Sequence, residues 1–248
     1  MKYVVVFLYI LSSLNGAAPK DAITKETVLS GGKTRGYYLF IPDKLDETRR
    51  APLIVMLHGS GRNGRILLDH WKDLANQEGI VLAGPDSQNP MAWRTPEDGP
   101  EFLRDVVEAV KGRAFINPRR VYLFGHSGGA VFGIAMSLFE SEYFAAAAVS
   151  AGALEPDRVG SFGEVAQRKV PIAIFVGTQD RSFPLDLVRK TRDGLNAKGL
   201  NVQLTEIPGH DHNYYSRSTE INRSAWEFLK KVELASDPKY AAYDFKRK

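Results

Sequence analysis

Cysteine is absent from all 248 residues. That single absence excludes disulfide staples, thiolate zinc sites and a cysteine nucleophile together. The fold must then be held by its hydrophobic core, which a chain of this length can supply. Internal repeats and low-complexity runs are missing too, which is compatible with one α/β domain. No sign of charge dominates: Lys and Arg number 33 against 29 Asp and Glu, a formal charge of +4. The basic residues are scattered rather than striped, so nucleic-acid binding is not indicated. The apolar run Tyr3 to Leu11 is far too short to span a bilayer.

What is present begins at the N-terminus. Met1-Lys2, the run Tyr3 to Leu11 and then Ser12-Ser13-Leu14-Asn15-Gly16-Ala17-Ala18 read as the charged, apolar and small-residue regions of a secretory signal. The rival reading is a buried first strand. The expectation is export to the periplasm or beyond, with a signal over residues 1–17 whose cleavage point stays open, because Pro19 disfavours a cut after Ala18. Residues 18–235 read as one catalytic domain and 236–248 as a polar and aromatic surface tail. Nothing in the sequence reads out an oligomeric state.

Between these ends, strands alternate with helices. Tyr37 to Ile41, Leu53 to Leu57, Ile80 to Ala83, Ala145 to Val149, Ile172 to Val176 and Val202 to Ile207 read as strands, several of them unbroken apolar runs of the kind central parallel strands show. Helical spacing marks Leu67 to Asn76, Phe102 to Val110, Ala130 to Phe139, Leu185 to Lys198 and Ile221 to Val232. Asn117-Pro118 is expected to break the chain before the strand that follows. The pattern implies a mostly parallel sheet sandwiched by helices. Ser150 to Pro171, where a lid domain could be inserted, is short and mostly polar, so the site should be open.

The chemistry centres on Gly125-His126-Ser127-Gly128-Gly129, which follows the apolar run Val121 to Phe124 and opens a helix. That is the context of a nucleophile elbow: a sharp strand-to-helix turn with small residues two before and two after an exposed serine. The order of such sites then requires an acid and a histidine downstream. Asp180, in the loop after Ile172 to Val176, fits the acid, and Asp186 is a weaker candidate. Two histidines, His210 and His212, compete as base in the loop after Val202 to Ile207. Their spacing could also suit a metal pair, but no third ligand is evident and none is assigned. The oxyanion donors are expected from the N–H groups of Gly128 and of Ser60, in His58-Gly59-Ser60-Gly61. His58 reads as structural, His126 as a packing residue and His70 as surface.

These segments resemble the α/β-hydrolase superfamily, and more narrowly its secreted esterases of the polyhydroxybutyrate depolymerase and feruloyl esterase type. The resemblance rests on Leu57 to Gly61, on Phe102 to Val107 with Asn117 to Ala130, and on Gly177-Thr178-Gln179-Asp180. It implies an α/β-hydrolase fold without a large lid and no cofactor. It also favours His212 as the base, because such esterases carry an aromatic two positions after the catalytic histidine, as Tyr214 stands here. Trp93 resembles their pocket tryptophan, and Trp93 and Tyr214 are carried over as substrate-binding candidates. The implied activity is serine-dependent hydrolysis of soluble or oligomeric carboxylic esters, of feruloyl, acetyl or hydroxyalkanoate type. A phospholipase, thioesterase or serine peptidase of the same fold is the alternative, and a non-catalytic binding protein is the alternative from another class.

Overall fold

A computed structural model describes residues 22–46, 48–243 and 245. The expected signal segment lies outside the described residues. Eight strands form one sheet: β1 (Thr24–Ser30), β2 (Lys33–Phe40), β3 (Ala51–Leu57), β4 (Val81–Pro85), β5 (Ile116–His126), β6 (Ala146–Ser150), β7 (Pro171–Gly177) and β8 (Asn201–Ile207), in the order β1-β2-β4-β3-β5-β6-β7-β8. β1 and β2 are antiparallel to their neighbours and the others pair in parallel. The helices are α1 (Arg65–Glu78), α2 (Pro100–Lys111), α3 (Gly128–Phe139), α4 (Pro156–Val165), α5 (Leu185–Ala197) and α6 (Ser218–Leu229). This is the fold class expected of the alternating pattern.

The apolar strands are buried on both faces, and their period of two divides the core. Leu53, Val55 and Leu57 of β3 point into one layer with α2 and α3, while Ile54 and Met56 point into the other with α1 and α6. β7 divides likewise, with Ile172, Ile174 and Val176 on one side and Ala173 and Phe175 on the other. After β3 the chain leaves through α1 on one face, and after β5 through α3 on the other. A crevice therefore opens at the carboxyl ends of β3 and β5, where ligands bind in open α/β sheets.

Four local readings are corrected. Asn117-Pro118 does not precede β5 but lies within it. Pairing jumps from Ala51 with Ile116 to Leu53 with Val121, so the intervening residues bulge and no ladder bond is asked of the proline nitrogen. β1 escaped the reading because its residues alternate between half-buried and exposed on an edge. The stretch Ser150 to Pro171 holds α4, which borders the site. The C-terminal tail is not a free surface extension: Tyr240, Tyr243 and Phe245 pack against the core.

Candidate active site

β5 passes into α3 through Ser127, whose φ of 56° and ψ of −122° lie where residues with a β-carbon are rarely found. Such strain persists only where the surroundings enforce it. Here the enforcement is close packing of backbone. A β-carbon on Gly125 would stand 2.2 Å from the Gly129 carbonyl oxygen, and one on Gly129 would stand 1.9 Å from that of Leu57. Two small residues thus let strand, helix and the end of β3 meet, and the serine hydroxyl is left at the carboxyl edge of the sheet.

Two later loops reach the same edge. His212, beyond β8, lies with Nε2 3.0 Å from Ser127 Oγ. Its Nδ1 is 2.9 Å from Asp180 Oδ2, in the loop after β7. A carboxylate only accepts, so Nδ1 carries the proton and Nε2 is free to accept from the serine hydroxyl. Asp180 is fully buried, and its Oδ1 also accepts the N–H groups of Ser182 and Phe183 at 2.8 and 2.9 Å. Those bonds fix the carboxylate, and the Phe183 ring lies nearly parallel to the imidazole at 5.8 Å.

The loop after β3 approaches from the other side. A β-carbon built on Gly128 would lie 2.9 Å from Ser60 Oγ and 3.7 Å from Ser60 N, so the Ser60 and Gly128 backbones face one another beside Ser127. The Gly128 N–H stands at the first position of α3, where the helix itself offers no acceptor. Together these groups can meet an oxyanion.

His58 anchors this loop from below. It is buried, its Nδ1–H donates to Gly59 O at 2.9 Å, and its Nε2 accepts the Ser87 N–H at 3.2 Å. Burial holds its pKa below the usual histidine range. His126 does more than pack. Its Nε2–H donates to the carbonyl of His212 at 3.2 Å, and the two rings are 5.1 Å apart. Burial lowers its pKa to about 4, and its Nδ1 meets no hydrogen-bond partner among the described residues. A neutral His126 places no repelling charge beside His212.

Trp93 lines a cavity of about 450 Å³ that begins at Gly128 and follows one face of α3 through Val131, Phe132, Ala135, Met136 and Phe139. Its Nε1–H donates to His58 O at 2.8 Å and its ring stacks on Phe132 at 4.9 Å. Its loop is tied down by Asp98, which accepts Arg35 Nη2 at 2.6 Å and the N–H groups of Gln88 and Arg94 at 2.8 and 2.9 Å. Arg158, Ser161 and Phe162 of α4 form a side of the cavity, and Tyr243 and Phe245 line it as well.

Three candidates are not brought to this site as read. Tyr214 is wholly buried beneath it and donates its hydroxyl to Asn222, so it supports the loop and cannot touch a substrate. His210 is also buried, and the carboxylate nearest its Nδ1 is Asp211 at 4.0 Å. Asp186 is largely exposed and pairs with Arg189 on α5. His70 is half-buried rather than a surface residue, its Nδ1 3.1 Å from Ser218 Oγ. Among the described residues no cluster of three or more His, Asp or Glu could hold a metal, and no helix is long and apolar enough to cross a membrane. The aromatic residues of α3 and the tail were missed; the i, i+3, i+4 recurrence counted from Gly128 would have found Val131, Phe132, Ala135 and Phe139.

The sequence model of the Dienelactone hydrolase family matches residues 34–241. The bifunctional acetylxylan esterase/xylanase XynS20E of Neocallimastix patriciarum is 30% identical over 154 residues, 60% of this chain and 22% of that protein. Feruloyl esterase B of Piromyces equi is 29% identical over 149 residues, 56% of this chain and 28% of that one. The chain spans half or less of the length of the curated relatives it matches. Among solved structures, an S-formylglutathione hydrolase from Agrobacterium tumefaciens superposes with a TM-score of 0.68 at 16% identity, covering 85% of this chain and 94% of that one. That is a likeness of fold.

Proposed function

Since the chain belongs to the Dienelactone hydrolase family of α/β-hydrolases, we propose that it is a serine carboxylic-ester hydrolase with Ser127 as nucleophile, His212 as base and Asp180 as its orienter. The observation that carries this reading is the unbroken relay from Ser127 Oγ to His212 Nε2 and from His212 Nδ1 to Asp180. His212 takes the hydroxyl proton as Ser127 attacks the ester carbonyl, and the tetrahedral oxyanion sits between the N–H groups of Ser60 and Gly128. Collapse expels the alcohol, which receives the proton from His212. Water, activated by the same histidine, then resolves the acyl-enzyme.

For the substrate, the aromatic walls of the cavity favour esters bearing an apolar or aryl group, the feruloyl type ahead of the acetyl and hydroxyalkanoate types. Export through residues 1–17 is part of the proposal, and N-terminal sequencing of protein recovered outside the cytoplasm tests it. The reaction itself is tested by a fluorophosphonate probe, which reacts rapidly only with an activated serine. Labelling should map to Ser127 and vanish in His212→Ala. An unlabelled native protein would instead favour a binding module on a hydrolase fold.

A further inference from the structure

The C-terminal segment, read from sequence as a surface extension, brings Tyr243 and Phe245 to the cavity that begins at Gly128, beside the candidate nucleophile. α3 is 12 residues long, about 18 Å at 1.5 Å per residue. Ser127 stands at its first end and Glu140 caps its last. The Glu140 side chain is buried, and its two oxygens accept the N–H groups of Ala241 at 2.8 Å and of Tyr243 at 3.1 Å. A carboxylate shielded from water is costly unless bonded in this way, so the site is built to grip backbone, whatever the tail's side chains. The grip puts Tyr243 4.3 Å and Phe245 5.0 Å from the ring of Phe139, with the two tail rings 4.8 Å from each other. Phe139, Tyr243 and Phe245 all face the cavity.

We infer that Tyr243 and Phe245 form the distal wall of the substrate cavity and set the size of ester group it accepts, with Glu140 as the positioning residue that holds them there. The inference rests on the ester-hydrolase reading and deepens it. A small group bound at Ser127 never reaches the far end of α3. An extended apolar or aryl group does, and it stacks against the tail rings. The wall therefore selects for long groups without touching the chemistry, and its loss is felt in KM rather than in kcat.

The test compares wild type with Tyr243→Ala, Phe245→Ala and Glu140→Gln on two size series, p-nitrophenyl esters of acids from acetate to dodecanoate and aryl-alkanoates, and acetates of increasingly large alcohols. p-Nitrophenyl acetate, too short to reach the wall, is the reference against which each variant's loss on the larger esters is read. The largest members of one series should lose about tenfold more than the acetate in kcat/KM, through KM, a change equivalent to about 1.4 kcal/mol and within the range of an aromatic contact. A size profile unchanged in both series would overturn the inference. So would an equal fall for all sizes, which would make the tail a support of the fold only. If no ester is hydrolysed by wild type, the ester-hydrolase reading fails on its own account. Calorimetric titration of free aryl-alkanoic acids into wild type and Phe245→Ala then still reads the wall: weaker binding of the long acids in the variant sustains it, and equal binding overturns it.

Discussion

Among the described residues, the base within hydrogen-bond reach of the Ser127 hydroxyl is His212 Nε2, at 3.0 Å. His212→Ala should therefore lower kcat on a p-nitrophenyl ester by about 10⁴-fold or more. His210→Ala removes a buried ring outside the relay and should lower the unfolding midpoint while changing kcat only modestly; the reverse ranking in steady-state kinetics would refute the assignment. His126 supplies a pH dependence. Its folded pKa of about 4 lies below the ordinary histidine value because burial penalises the charged ring; the bond to the His212 carbonyl and the Asp180 charge oppose this, while the His212 ring and Arg62 add to it. The unfolded chain then binds the extra proton first as pH falls. The stability this group contributes is fully present above pH ~6.5 and is lost as pH falls towards about 4, a change on the order of a few kcal/mol. Unfolding midpoints measured between pH 7 and 4 should fall, and more shallowly in His126→Phe; equal slopes would contradict this assignment. Spacing alone left His210 and His212 open, since both occupy one loop. What separates them is which way the loop turns, and the His126 bond to the His212 carbonyl is part of that turn.

At the scale of elements, the site is a meeting of four loops and one elbow at the carboxyl ends of parallel strands. Of these, the elbow was legible because its constraint is local: two glycines and a serine between an apolar strand and a helix. The loop carrying Trp93 was not, because what holds it is the buried pair of Arg35 on β2 with Asp98, far apart in sequence. Arg35→Leu leaves Asp98 buried without its cation, which costs about 3–5 kcal/mol. The unfolding midpoint should drop by roughly 10 °C and KM for aryl esters should rise as Trp93 loosens. A midpoint within a degree of wild type would show that the pair does not hold the loop. β5 illustrates the opposite limit, since Pro118 signals a break locally while the sheet absorbs it as a bulge.

For the whole molecule, the alternation of apolar strands and amphipathic helices was enough to read a parallel sheet between two helical layers, because the central strands must bury both faces. The path of the C-terminal tail was not readable that way. Its polar and aromatic residues carry no periodicity, and its place depends on a buried carboxylate at the end of α3. With no cysteine or metal-ligating cluster among the described residues, Ser127, His212 and Asp180 are positioned by packing and hydrogen bonds. The most direct measurement is the hydrolysis of short p-nitrophenyl esters by the protein beside its Ser127→Ala variant, with both shown to be folded by their melting curves. A fall of roughly 10⁶ in kcat is the expected result, since a relay without its nucleophile retains only what binding and the oxyanion donors supply. Equal rates in the two proteins would contradict a serine-dependent ester hydrolase.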